Sequence, residues 1–344
     1  MKVYVYEHLT ATGAGREPES VGHGMYREGW AMWSALREDL RQVSGVEVVD
    51  DPAMAEAVVV IAPETGGVLA ELSAEWDRRG IWRVGPSLEA IRLSGDKWAL
   101  AEHWRQRGVP TPAVRLGQPR LQDRYPLVWK PRDGCGSQAT FLVHRWEEVN
   151  GLQFQVEGYE MMVQDYVSGQ AASVAFLCGP RIILPLLPTY QHLSTDGRFR
   201  YEGGALPLPV ELARRAVELG RHALAHLPGL SGYVGVDLVL GEASDGSQDY
   251  AIEINPRLTT SYIGLRVACL DNLAQVMIEV AGGQWDGQLH WKPLNVRFLA
   301  DGTWTASPWS HRQSEKILEF DYLFPKGSVY CNEPSRMDRG GKEA

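Results

Sequence analysis

Two rhythms of apolar and polar positions divide the chain. Residues 2–6 alternate Val and Tyr, the period of a strand. Trp30, Trp33, Leu36 and Leu40 recur at helical spacing and predict a helix over Met25–Val43. Val46–Val49 reads as a short strand. Ala57–Ala62 is wholly apolar, as in a strand buried on both faces of a parallel sheet. A helix over Leu69–Arg79 and a short strand at Val84 complete a βαβα unit ending near residue 88. Farther on, Ser94-Gly95-Asp96-Lys97 opens a helix to about Arg107, stopped by Gly108, Pro110 and Pro112. Strands are expected at Pro126–Pro131, Thr140–Val143 and Met161–Val167, and a hairpin of Ser173–Cys178 with Arg181–Leu187 turns about Gly179-Pro180. Val210–Leu227 and Leu270–Val280 read as helices, and short strand patterns follow Trp291.

Between these elements lie segments that carry chemistry. Gly232–Leu240 is a strand on which Asp237 faces away from Val236 and Leu238. After a turn at Gly246, the strand Asp249–Asn255 returns, with Ala251, Glu253 and Asn255 on one face and Ile252 and Ile254 on the other. Asp237 and Glu253 can then meet across an antiparallel ladder. A carboxylate and an amide on one face of a core strand need a partner, and a hard cation suits oxygen ligands. Pro256 ends the ladder, and Arg257 leaves it with a guanidinium fork suited to phosphate. Lys97, in the first turn of its helix, opposes the dipole there unless solvated or turned toward an anion. Arg132–Ser137 is a glycine-rich turn between strands, able to fold over phosphates but unlike a Walker A loop. Thr10–Gly15 lacks a dinucleotide fingerprint and reads as a plain loop. Glu64 stands just past a parallel strand, where it can face substrate or begin a helix capped by Thr65 or a neighbour. Tyr190–Pro207, polar and glycine-bearing, reads as a functional loop. Glu218, His222 and His226 share a helix face that reads as solvated rather than metal-binding.

Composition narrows the classes. The net charge is −9, from 34 basic and 43 acidic residues with no long basic run, which argues against general nucleic-acid binding. Cys135, Cys178, Cys269 and Cys331 form no CxxC pair, and the nine histidines form no HExxH, so no zinc site or disulfide framework is indicated. Apolar runs fall far short of the ~20 residues of a membrane span. The N-terminus runs straight into a strand rather than a signal peptide, so a reducing, cytoplasmic setting is expected.

Six motifs occur in order over about 160 residues: Gly-Asp96-Lys97, Val-Trp-Lys130-Pro, Asp133-Gly-Cys-Gly-Ser137, Val163-Gln-Asp-Tyr-Val-Ser-Gly169, Gly235-Val-Asp237 and Glu253-Ile-Asn255-Pro-Arg257. In this order they resemble the ATP-grasp superfamily of ligases. The resemblance implies an α/β (α+β) ATP-grasp fold: a pre-ATP-grasp domain at 1–88, a small subdomain with the glycine loop at 89–170, and a large subdomain with the metal and acceptor sites at 171–330; the terminal residues 331–344 read as a disordered tail. It implies that Lys97 and Lys130 bind ATP phosphates under a loop of Gly134, Gly136 and Ser137, with Gln164, Asp165, Tyr166 and Val167 forming the adenine hinge. Asp237, Glu253 and Asn255 would ligate two Mg²⁺, a place Mn²⁺ can also fill, and Arg257 would stabilise the reacting phosphate and acyl intermediate. Ala171 stands where many members carry the ribose-binding Glu, leaving Asp165 as a substitute.

Glu253–Tyr262, the Ile61–Thr65 region and Tyr201-Glu-Gly-Gly204 are most similar to the tyramine–glutamate ligase group. This implies joining of the glutamate γ-carboxylate to an aromatic amine such as tyramine, in methanofuran-type cofactor synthesis. Glu64, Tyr201, Gly203, Gly204, Thr259, Thr260 and Ser261 become candidate substrate contacts, and Glu64 and Glu202 candidate bases. The partners would be small-molecule acids and amines, with neither nucleic acid nor membrane, and a homodimer is one assembly open to the chain. Another amino-acid or peptide ligase and a non-catalytic ATP-binding module are the alternatives; the missing GxGxxG disfavours a dinucleotide oxidoreductase.

Overall fold

The computed structural model describes residues 1–20 and 22–309. Strands β1 (Lys2–Glu7), β2 (Glu47–Val49), β3 (Ala57–Ile61) and β4 (Trp82–Arg83) form a parallel sheet in the order β2-β1-β3-β4. Every residue of β3 is buried because both faces are covered. Val59 and Ile61 join the main core, and Val58 and Val60 pack with Leu69, Trp76 and Ile91. The helices here are α1 (His8–Thr12), α2 (His23–Leu40), α3 (Val68–Arg78), α4 (Leu88–Gly95) and α5 (Lys97–Gln106). Short helix α1 replaces the plain loop expected at Thr10–Gly15. The carboxylate of Glu7 accepts the otherwise unpaired N–H groups of Leu9 (3.1 Å) and Thr10 (2.6 Å), which is enough to start a turn. Asp96 caps α5 by accepting from the Ala99 N–H at 2.9 Å. No side chain caps the turn at Thr65–Gly67, and the Thr65 hydroxyl instead faces Cys135 Sγ at 3.8 Å.

A second, antiparallel sheet has the order β5-β8-β6-β7, from β5 (Val114–Leu116), β6 (Leu127–Pro131), β7 (Phe141–Val143) and β8 (Met161–Asp165). With helix α6 (Val149–Leu152) it encloses its own core around Trp129, Phe141 and Val163.

The third sheet runs β14-β13-β9-β11-β12-β15-β16, with β10 (Ile183–Pro185) paired to β9 (Gln170–Cys178) as the expected hairpin. Strands β11 (Thr189–Leu193), β12 (Tyr201–Leu206), β13 (Gly232–Leu240), β14 (Tyr250–Asn255), β15 (Leu294–Leu299) and β16 (Trp304–Pro308) complete it, with helices α7 (Val210–Leu224), α8 (Ser261–Ala268) and α9 (Leu273–Ala281). The segment Tyr190–Pro207, expected to be a loop, is mostly the β11–β12 hairpin. Gly203 has a φ of +138°, and a Cβ there would lie 2.2 Å from the Phe298 carbonyl oxygen of β15. The glycines that suggested a ligand loop thus permit close strand packing.

The face assignment of β14 also changes. Asp237 pairs with Glu253 as expected, but Leu238 pairs with Ala251, so Ile252 is an extra, bulged residue. A bulge sets two residues of one strand against one of its partner and flips the alternation beyond it. Ala251 is therefore turned into the core, while Ile252 lines the same cavity as Glu253 and Asn255. The 331–344 tail, Cys331 and the last part of the 171–330 unit lie outside the described residues.

Candidate active site

The second and third sheets, with Glu28 of α2 and Lys97 of α5, enclose a cavity of about 630 Å³. From the third sheet, β13 and β14 present Asp237, Glu253 and Asn255. The Asn255 Nδ2 donates to Asp237 Oδ2 at 3.1 Å, which turns the amide oxygen away from that contact. Gln191 Nε2, from β11, donates to Asp237 Oδ1 at 2.9 Å. Opposite stand Lys97 from the start of α5 and Lys130 from β6. Lys97 Nζ lies 2.7 Å from Glu253 Oε2 and donates to the Gly134 carbonyl at 2.9 Å. This contact answers why a cation opens a helix against its dipole: it is turned to an anion across the cavity.

The electrostatics separate the two carboxylates. Burial, and then the charge of Glu253, raise the pKa of Asp237. Burial pushes Glu253 the same way, but Lys97 and Lys130 outweigh it and hold that carboxyl low. Burial lowers the Lys130 ammonium, Glu253 pulls it back and Lys97 lowers it again, to about 8. Two carboxylates and an amide oxygen are hard donors, the set a divalent cation such as Mg²⁺ takes. Among the described residues no group of three His, Cys, Asp or Glu comes together. A cation here would therefore draw its remaining ligands from phosphate oxygens or water, the usual arrangement for Mg²⁺ with a nucleotide.

The glycine loop borders the same space. Gly134 and Gly136 have φ of +142° and +64°, and Ser137 holds a left-handed φ of +56° while its hydroxyl donates to the Phe199 carbonyl at 2.7 Å. Gln164, Asp165, Tyr166 and Val167 line the cavity with Val128 and Ala171, so the six motifs surround one volume.

Arg257 reaches into it from the end of β14. Its Nε lies 2.9 Å from Glu64 Oε1, and its Nη2 donates to Glu64 Oε2 at 3.1 Å. Burial works against the guanidinium charge, and Glu64 more than restores it. Glu64 itself does not line the cavity; it holds Arg257. Thr259, Thr260, Ser261 and Tyr201 do line it. Thr259 and Ser261 are fixed below by the Tyr233 hydroxyl, at 3.2 Å and 2.8 Å. Gly235 lacks a Cβ because one would lie 2.9 Å from the Thr259 methyl.

Three expected contacts fall elsewhere. Gly203 and Gly204 are buried between β11 and β15, and Glu202 is exposed and does not line the cavity. Sequence reasoning missed Gln191, hidden in the supposed loop, and Glu28, which sits on α2 and borders the cavity. Arg214 holds Glu218 of the Glu218–His226 face at 2.8 Å, away from this site.

Comparison with known proteins agrees with this geometry. The ATP-grasp domain family matches residues 94–261, and the pre-ATP-grasp domain family matches 47–91. The tyramine–L-glutamate ligase of Methanocaldococcus fervens is 28% identical over 226 residues, 66% of each chain. The tyramine–L-glutamate ligase of Methanocaldococcus jannaschii is 28% identical over 243 residues, 71% of this chain and 67% of that one. The chain thus spans about two thirds of the length of these curated relatives. Among solved structures, an ATP-grasp superfamily protein from Archaeoglobus fulgidus superposes with a TM-score of 0.66 at 23% identity, over 87% of this chain and 92% of that one. Carboxyaminoimidazole ribonucleotide synthase from Aspergillus clavatus, complexed with ATP, superposes with a TM-score of 0.64 at 16% identity, over 87% and 81%. No helix among the described residues is long and apolar enough to cross a membrane. The chain thus carries an ATP-grasp domain behind a pre-ATP-grasp domain, and it resembles the tyramine–L-glutamate ligases.

Proposed function

We propose that this protein joins a carboxylic acid to an amine at the expense of ATP, through an acyl phosphate, and that the pair is glutamate, through its γ-carboxylate, and an aromatic amine of the tyramine type. The observation that carries the reading is the single cavity in which Lys97, Lys130, Glu253 and Arg257 converge. Relatives named tyramine–L-glutamate ligases motivate this choice of acid and amine, and we extend the proposal to a place in methanofuran-type cofactor synthesis.

A carboxylate does not condense with an amine at neutral pH, because oxide or hydroxide would have to leave. Phosphorylation supplies a leaving group. Phosphoryl transfer is mostly positioning and neutralisation of charge spread over the phosphate oxygens. Gln164–Val167 would hold the adenine, and the Gly134–Ser137 loop would close on the phosphates with its backbone N–H groups. Asp237, Glu253 and Asn255 would hold Mg²⁺, two ions, whose chemistry there is neutralisation of the triphosphate. Lys97 and Lys130 add fixed positive charge against the same groups. Arg257, held by Glu64, would stabilise the transferring phosphate and then the oxyanion formed when the amine attacks. Thr259, Thr260, Ser261 and Tyr201 would line the acid and amine subsites.

Glu253→Gln tests the assignment. The swap keeps the shape of the side chain, so the fold is retained, and kcat is expected to fall roughly 100-fold or more. Turnover at the wild-type level would refute the role given to the β13–β14 face.

A further inference from the structure

Two carboxylates on the cavity wall, Glu28 and Asp165, have no hydrogen-bonded or ion-paired partner among the described residues, and of these Glu28 lies outside the Gln164–Val167 hinge. Glu28 projects from α2 of the first domain and shares the wall with Tyr201, Arg257 and Thr259. Arg257, from the end of β14, and Tyr201, from β12, lie within electrostatic reach of it. On β1, Glu7 faces the next residue of the helix, Gly29, where a Cβ would meet the Glu7 carboxylate at 2.4 Å.

The helix is anchored around Glu28. Met25, one turn earlier, lies against the glycine loop, with Gln138 Nε2 3.2 Å from its sulfur. Arg27 pairs with Asp301 at 2.7 Å. Toward the far end, Asp39 accepts from the Tyr262 hydroxyl at 2.6 Å and pairs with Arg266 at 2.6 Å, tying α2 to the helix that follows Thr259–Ser261. The position of Glu28 is thus tied to both the phosphate loop and the substrate segment.

The other candidate bases are committed, apart from Asp165, which stands exposed in the Gln164–Val167 hinge assigned to the nucleotide. Glu64 holds Arg257, Asp133 accepts from the Gly66 N–H at 2.9 Å, and Asp237 and Glu253 face the lysines. Tyr201 stays protonated, because burial and then the Glu28 charge raise its pKa well above the usual phenol value. Yet an alkylamine, with a pKa of ~10, arrives as an ammonium and must lose a proton before it can attack.

We propose that Glu28 receives the ammonium of the acceptor amine and takes its proton. This rests on the ligase reading above. One N–H proton passes to Glu28, and the nitrogen lone pair then attacks the acyl-phosphate carbonyl carbon. The C–N bond forms as the C–O bond to phosphate breaks. A second N–H proton leaves with the phosphate, and Glu28 returns its own to solvent. Burial, partly offset by Arg257, raises the Glu28 carboxyl to about 7, so it can both accept and release near neutrality.

The test compares tyramine with hydroxylamine, an amine neutral at pH 7 that needs no base to free its lone pair. Amide and hydroxamate formation are measured with glutamate, or with whichever acid supports turnover. Glu28→Gln is expected to lower kcat/KM for tyramine by about 100-fold relative to hydroxylamine. Glu28→Asp, which keeps a carboxylate, should restore part of that ratio, and it serves as the second variant if the Gln protein fails to fold. An unchanged ratio in a Gln variant that still binds Mg–ATP would overturn the role, as would a ratio no better in the Asp variant than in the Gln variant. Absence of both amide and hydroxamate from the wild-type protein with every acid would overturn the ligase reading, and this proposal with it.

Discussion

Glu64→Gln removes the charge that Arg257 faces. The pair has one hydrogen bond, Nη2 to Oε2 at 3.1 Å, beside an Nε–Oε1 ion contact at 2.9 Å, and the side chains are only 6% and 13% exposed. Breaking a buried pair by removing one partner costs about 3–5 kcal/mol, because the remaining charge is left uncompensated. Arg257 opens onto the cavity, where water can hydrate it, so the cost here is about half of that, ~2 kcal/mol. For a chain of 344 residues the unfolding entropy makes this about 1.4 °C per kcal/mol, so Tm should drop by ~3 °C. Differential scanning calorimetry with and without Mg–ATP is the assay. The account requires the deficit to shrink when nucleotide is present, because phosphate oxygens then face the released guanidinium. Turnover should fall as well, since an untethered Arg257 no longer meets the reacting phosphate in one geometry. A change in Tm below ~1 °C with wild-type turnover would refute the claim that Glu64 positions Arg257, and would reopen its role as a substrate contact.

Three further outcomes are expected. Arg215→Met leaves Asp249 buried without its ion pair, since the Arg215 Nε–H donates to that carboxylate at 2.8 Å; urea unfolding should show a loss of about 3–5 kcal/mol, and a loss under ~1 kcal/mol would contradict it. Gly203→Ala forces a Cβ against the Phe298 carbonyl at a left-handed φ, so stability should fall by more than ~1 kcal/mol while the KM for the amine holds; a KM shift without destabilisation would return Gly203 to the substrate site. For Glu28, kcat/KM with tyramine should rise with pH through about 7 as the carboxylate forms, and the Gln variant should lack that limb. The stability sign is opposite. A folded pKa above the ordinary 4.5 favours the fold at low pH, and that contribution is lost as pH rises to about 7. Glu28→Gln should therefore be the more stable protein at pH 8 and show no advantage at pH 4; equal stability at both values would contradict the burial of this group.

Much of the site was legible because its residues sit in strands, where period two decides which side chains share a face. Asp237 and Glu253 could be paired from their positions alone. Ala251 could not be placed, because nothing in the residues marks the bulge at Ile252 that sends it into the core. The parallel sheet followed from the unbroken apolar run of β3, whereas the β11–β12 hairpin was obscured by Gly203 and Gly204, whose close approach to neighbouring strands resembles a flexible loop in sequence. Gln191 was lost with that hairpin. Glu28 carries no local signal at all. It is one more acidic residue on an amphipathic helix, and only the packing of α2 between the first sheet and helices α8 and α9 turns it toward the cavity. Glu64 was seen at the right strand end, but its engagement by a residue 193 positions away is a tertiary fact.

The central claim is that one cavity couples ATP cleavage to amide formation. The direct measurement is ADP release together with product mass, over a matrix of acids and amines that includes glutamate, alanine, tyramine and tyrosine. The account predicts stoichiometric ADP, phosphate and amide with glutamate and tyramine, and none when either is omitted. Tight Mg–ATP binding with no ADP from any pair would contradict it and leave a nucleotide-binding module.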